Sequence, residues 1–128
     1  MFDSGSILFN KSHAFAVAIV KFYDKNYTQK FSVIYRQLLS SATSIGANTS
    51  ESNGAISEDD FSAKVSIAFK EMRETKYWLL LMKDTDLMDT EVYNKFYDQV
   101  DELCKIAFSI LKSTGRINPQ KPPHDDKN

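Results

Sequence analysis

The stretch SEDDFSAKVSIAFKEMRETKYWLLLM, residues 57–82, reads as a single long amphipathic helix. Phe61, Val65, Ala68, Met72, Thr75, Leu79 and Met82 return at alternating steps of four and three, the seam of a helix packed nearly parallel to its neighbours. The start is written in the same residues. Ser57 with Asp60 three positions on makes a capping box of the acidic kind, and Ile56 is placed to staple onto Phe61 one turn inside.

Three further segments carry the same rhythm. The first runs from about Ser6 to about Asn26, with Leu8, Ser12, Phe15, Ile19 and Phe22 in step. Ala14 to Val20 is apolar on every side, whereas a surface helix of a monomer keeps a polar face. This helix therefore needs cover on two sides. Residues 24–30 are polar and suit a short connection between antiparallel helices. The second helix spans roughly Phe31 to Ser52 on Ile34, Leu38, Ser41, Ile45 and Asn48. Its second half is built from small residues (Ser40, Ser41, Ala42, Thr43, Ser44, Gly46, Ala47) that lower helix propensity but let another helix come close. Asn53 and Gly54 stop it as a left-handed C-terminal cap would. The last helix begins at about Asp89 and runs to Thr114 on Tyr93, Phe96, Val100, Leu103, Ala107 and Ile110, closed by Gly115.

Four helices of about 20–26 residues, ~30–39 Å long at about 1.5 Å per residue, joined by short loops, predict an all-α fold. The arrangement is an antiparallel up-down-up-down four-helix bundle over residues 1–115. All three prolines (Pro119, Pro122, Pro123) fall beyond it, so none interrupts a helix. The polar tail, 116–128, has nothing to bury and is expected to be disordered.

Composition narrows function by exclusion. A net charge of −1 on 128 residues supplies no global field towards nucleic acid or an anionic membrane. The one biased segment, 84–112, holds three basic and seven acidic residues. Cys104 stands alone, which excludes an internal disulfide and a cysteine-cluster zinc site, and its place beside Leu103 predicts a buried, inert thiol. There is no signal-peptide pattern, and the apolar runs are far short of the ~20 residues a membrane span requires. A cytoplasmic protein is expected.

The residues also carry a resemblance. Arg36 with Gln37-Leu38-Leu39, Ser44-Ile45-Gly46-Ala47-Asn48 with Glu51, Asp60-Phe61, Ser66-Ile67-Ala68, Lys70-Glu71, Glu74-Thr75 and Tyr77-Trp78-Leu79 occur in that order. This series resembles the bacterial four-helix-bundle family encoded in intervening sequences of large-subunit ribosomal RNA genes. The chain departs from it at Thr49-Ser50, where members commonly carry an aliphatic residue and alanine. The resemblance implies a homopentameric ring with no established catalytic residues, and a ribosomal-protein label in some naming that reflects gene location. It also implies a distant likeness to the basic pentameric accessory protein of diversity-generating retroelements, which partners a reverse transcriptase and nucleic acid.

No catalytic set emerges from the side chains. A di-iron carboxylate centre in a bundle needs two Glu-x-x-His motifs, but Glu71 is followed at that spacing by Glu74 and Glu51 by Gly54, and the histidines are His13 and His124. No metal or cofactor is expected. There is no G-x-S-x-G elbow and no phosphate-cradling glycine loop. Arg36, Glu51, Glu71, Arg73 and Glu74 are instead expected to form a buried or interfacial polar layer that fixes register, with Glu51 and Glu74 paired to Arg36 or Arg73.

Tyr77 to Met82 is a run of six apolar or aromatic residues, more than one bundle face can bury. Together with Ala14 to Val20 it predicts contacts between copies through Phe15, Ile19, Phe22, Tyr77, Trp78 and Leu81. The leading expectation is thus a non-enzymatic homo-oligomer that serves as an interaction or scaffold protein. The alternative is a nucleic-acid-binding accessory factor using Lys21, Lys25, Arg36, Lys70 and Arg73, a modest basic patch multiplied by assembly. No membrane or small-molecule partner is expected.

Overall fold

The computed structural model describes residues 2–117, with side chains from Gly5 onward. Four helices follow in order: α1 Phe2–Asn26, α2 Ser32–Asn53, α3 Glu58–Asp84 and α4 Thr90–Ser113. Side chains that meet across helices fix the directions. Phe22 lies against Tyr35 and Gly46 against Ala16 (α1 with α2), Ser41 against Thr75 and Glu51 against Lys64 (α2 with α3). Lys76 meets Asp101 and Lys83 caps the Tyr93 ring (α3 with α4), while Lys11 meets Glu102 and Phe22 meets Phe96 (α1 with α4). In every pair one number rises as the other falls, so the bundle is antiparallel, up-down-up-down.

The α3 seam lies buried along its whole length, from Phe61 through Met82. Ser57 Oγ accepts from the Asp60 amide at 3.0 Å, and the Asp60 carboxylate accepts in turn from the Ile56 amide at 3.4 Å. The cap therefore holds two orphan donors at the helix start. The staple does not form: Ile56 is 94% exposed while Phe61 is buried. The reciprocal bond draws on the Ile56 backbone and leaves its side chain turned to solvent.

α2 departs from a simple seam. Besides Leu38, Ser41 and Ile45, it buries Tyr35, Ala42, Gly46, Thr49 and Ser52. It is flanked by α1 and α3 and packs on both, and only small side chains allow a helix to be approached closely on two sides. Hydroxyls that would be orphaned there fold back on their own helix: Ser41 onto the Leu38 carbonyl, Thr49 onto Gly46 and Ser52 onto Thr49. Gly54 ends the helix at φ −95°, so the stop is not left-handed. The Gly54 and Ala55 amides reach back to Glu51 and Ser52 in a tightened last turn.

The ends of the bundle hold two features beyond the seam pattern. Between α1 and α2 the chain makes a short 3-10 turn, Gln29–Phe31. At the other end Gly115 takes φ +83°, a closure only glycine adopts without strain. The chain remains engaged past that point. Arg116 donates from Nε to Ser62 Oγ at 2.6 Å, and Ile117 packs on the core. Packing against the bundle therefore continues past Gly115 to Ile117. Residues 118–128, the rest of the expected disordered tail, lie outside the described residues.

Candidate functional site

Neighbouring helices do not pack equally: α1 and α4 touch least. Where they diverge, at the end of the bundle next to the α3–α4 loop, a cleft of about 830 Å³ opens. Its α1 wall is built from Ala14, Val17 and Ala18, side chains too short to reach across, and its α4 wall from Val92 and Phe96. Leu87 and Met88 of the loop close one end. Asp86 turns that loop at φ 61°, a left-handed conformation that aspartate tolerates better than most residues. Lys21 and Lys25, one turn apart on α1, face Lys95 of α4 across the cleft, with Asp86 and Asp89 at the loop end.

Of the five residues expected to bind nucleic acid, only Lys21 and Lys25 share this cleft. Arg36 lies on α2, and Lys70 and Arg73 on α3, all exposed. Lys95 was not legible as a member of the group because its neighbourhood with Lys21 and Lys25 exists only once α4 lies against α1.

The expected charged layer is not built inside the subunit. Glu51 pairs with Lys64 at 2.9 Å, and Glu74 accepts from Trp78 Nε1 at 3.2 Å. Arg36, Arg73 and Glu74 are exposed, and Glu71 is half-buried. The helix register explains why. Ser41 opposite Thr75 and Glu51 opposite Lys64 leave Arg36 level with the residues around Leu80, roughly 8 Å along the axis from Glu74 at about 1.5 Å per residue. Arg73 and Glu74 are adjacent in sequence and point different ways.

The buried polar contact between helices is neutral instead. Thr75 Oγ1 and Ser41 Oγ lie 2.9 Å apart, both almost wholly buried. Thr75 also lies 2.7 Å from the Glu71 carbonyl. Each hydroxyl has one proton, so the two form a short relay from Thr75 through Ser41 to the Leu38 carbonyl, in which the Thr75 proton is shared with the Glu71 carbonyl and no charge is desolvated.

The candidate interface residues divide. Phe15 and Ile19 are 0% exposed within one subunit, so they are core residues and cannot meet another copy. The error is one of phase: both sit on the inner face of α1, and the outer face of the same apolar run is Val17 and Val20. Phe22, Trp78 and Leu81 are half-buried, and Tyr77 is 55% exposed with its ring edge-on to Trp78. Ile67 and Leu80 are exposed on α3 as well.

The remaining reactive groups are quiet. Burial pushes the Cys104 thiol up, away from the thiolate form. His13 is exposed and stacks on Phe9. Among the described residues no three His, Cys, Asp or Glu side chains gather as a metal site would require, and no helix is long and apolar enough to cross a membrane. Lys76 makes the shortest ion pair among the described residues, donating to Asp101 at 2.8 Å with its ammonium also over the Tyr97 ring.

Four antiparallel helices with a half-open seam and exposed apolar flanks define a small helical-bundle domain. The chain belongs to the 23S rRNA-intervening sequence protein family, whose model matches residues 6–109. Among solved structures it is similar to a protein of unknown function from the S23 ribosomal protein family of Bacteroides thetaiotaomicron VPI-5482. The two are 40% identical, with a TM-score of 0.80 over 85% of this chain and 98% of that one. Comparison with curated proteins gives no match.

Proposed function

We propose that this protein is a non-enzymatic, homo-oligomeric interaction or scaffold protein, with copies joined through the outer faces of α1 and α3. The observation that carries the proposal is the apolar surface left over after the core is filled. Val17 and Val20 on α1, and Ile67, Tyr77 and Leu80 on α3, remain between 38% and 55% exposed. Single exposed aliphatics are ordinary, but several on two helices, with Tyr77 packed edge-on to Trp78, support contacts between copies. Phe22, Trp78 and Leu81 contribute their uncovered edges. A pentamer is the copy number that the family resemblance implies. Light scattering on the purified chain at micromolar concentration tests the proposal, and a mass of one subunit across the range overturns it.

The second reading, a nucleic-acid-binding accessory factor, is favoured by one observation. Lys21, Lys25 and Lys95 converge on one cleft, and among the described residues none of them is in an ion pair. Asp86 and Asp89 in the same cleft weaken it. This reading requires retention on immobilised RNA or DNA that falls steeply with salt, and no retention at low salt ends it.

A further inference from the structure

Two sets of charges without ion-pair partners among the described residues fit one another, although they lie on different faces of the subunit. One is the set of three lysines around the α1/α4 cleft, over the apolar side chains of Ala18, Phe22 and Val92. The other is a second stripe on α3. Ile67, Glu71, Glu74, Trp78 and Leu81 follow one another at steps of four and three, parallel to the core seam but offset from it. Lys64, one step earlier in the same series, is bonded to Glu51, so the stripe runs beside α2 and away from the cleft of its own subunit.

The stripe is a ridge with two carboxylates in its middle and apolar groups at both ends. Burial and the neighbouring Glu74 raise the Glu71 carboxyl above its ordinary range, with Lys70 offsetting part of the effect. An added cation at this place is favourable. The Trp78 indole is tied to Glu74, which fixes the middle of the ridge.

We propose that the α3 stripe of one copy seats in the α1/α4 cleft of the next. Glu71 and Glu74 meet Lys21, Lys25 and Lys95, while Trp78 and Leu81 cover the apolar floor. Asp86 and Asp89 repel the glutamates from the loop end of the cleft and so fix which way the stripe lies. The proposal rests on the oligomeric reading above and assigns one contact within it, which takes in Val17 and Ile67 and leaves Val20, Tyr77 and Leu80 outside. Ridge and cleft are different surfaces of one chain, so the contact is heterologous. Successive copies close a ring or extend a filament, and a two-fold dimer does not satisfy it.

The test uses the full chain, size-exclusion chromatography with light scattering, and circular dichroism to show that each variant stays helical. K21E/K25E and E71K/E74K are each expected to fall to the mass of one subunit, because each places like charges against each other. The chain with all four substitutions restores opposite charges at Lys21 and Lys25, with Lys95 alone left unreversed, and is expected to recover the wild-type mass. If wild type is oligomeric and K21E/K25E keeps its mass, the cleft proposal is overturned and the oligomeric reading stands. Failure of the four-fold variant to reassemble while remaining helical also overturns it. A K21E/K25E chain that keeps its mass but loses retention on immobilised RNA assigns the lysines to nucleic acid instead. A monomeric wild type removes both the proposal and the reading beneath it.

Discussion

Gly46 sits in the middle of α2, buried against α1, where a glycine suggests that two backbones have come too close for any side chain. The geometry says otherwise. A Cβ built at Gly46 would meet Ala16 Cβ and the Ser12 carbonyl oxygen at 3.9 Å each, ordinary van der Waals contact. Gly46→Ala should therefore stabilise the fold. Replacing glycine by alanine in a helix interior contributes about 1 kcal/mol through the entropy of the unfolded backbone. Burying the added methyl contributes up to about 0.8 kcal/mol more, and the Gly46 carbonyl that accepts from Thr49 is untouched. Urea unfolding followed by helical ellipticity, at one fixed protein concentration because assembly would shift the midpoint, reads the effect. With a slope of about 1–3 kcal/mol per molar urea, the midpoint should rise by roughly 0.3–1.8 M. Gly46→Leu is the counterpart, since three further carbons have nowhere to go and overpacking costs about 1–3 kcal/mol. A lowered midpoint for Gly46→Ala, with an unchanged slope, would refute the spacing between α1 and α2 on which the reasoning depends.

Other substitutions probe separate parts of the bundle. Ser12 is fully buried and its hydroxyl has no hydrogen-bond partner among the described residues, so Ser12→Ala should raise stability by up to about 1 kcal/mol; a destabilised variant in the same urea titration contradicts this. Thr75→Val removes the bond to Ser41 and should cost about 0.5–1.5 kcal/mol, whereas Ser41→Ala with Thr75→Val together should cost less than the two singly. Strict additivity would show that the relay carries no coupling. Hydrogen bonding from Lys76 holds the Asp101 carboxyl below its ordinary 3.8, with Lys105 adding to the effect. A depressed carboxyl stabilises the fold above 3.8 and loses that contribution as pH falls through the lower folded value. Asp101→Asn should flatten this acid limb, and an unchanged stability profile in acid refutes the pairing. Arg116→Ala should cost about 0.5–1.5 kcal/mol through the lost bond to Ser62, and no change in midpoint would mean that the chain past Gly115 contributes nothing.

The seams were legible because a helix that buries one face must repeat its apolar residues every three or four positions, and nothing in the tertiary arrangement can hide that. Phe61 to Met82, Phe96 to Ile110 and the Ser57 cap are local facts of the chain. The polar layer was not legible. Whether Glu74 meets Arg36 depends on the axial register of two helices, and a shift of about one and a half turns leaves Arg36 beside Leu80 while serine and threonine take the inner position. The phase of an all-apolar run is equally mute: Ala14 to Val20 shows no polar face from which to tell that Phe15 and Ile19 point inward and Val17 and Val20 outward.

The sequence by itself determined that this chain is four antiparallel helices, where the last three begin and most of what each buries, because periodicity and capping act within about twenty residues. The first helix starts at Phe2, four residues before the expected Ser6. Only the tertiary structure decided that α1 and α4 part over short alanine side chains to leave a cleft, that Lys95 joins Lys21 and Lys25 around it, and that the buried contact between α2 and α3 is uncharged. These depend on residues seventy or more positions apart, or on register between helices, and adjacency of that kind is set by packing of the whole bundle rather than by any local preference.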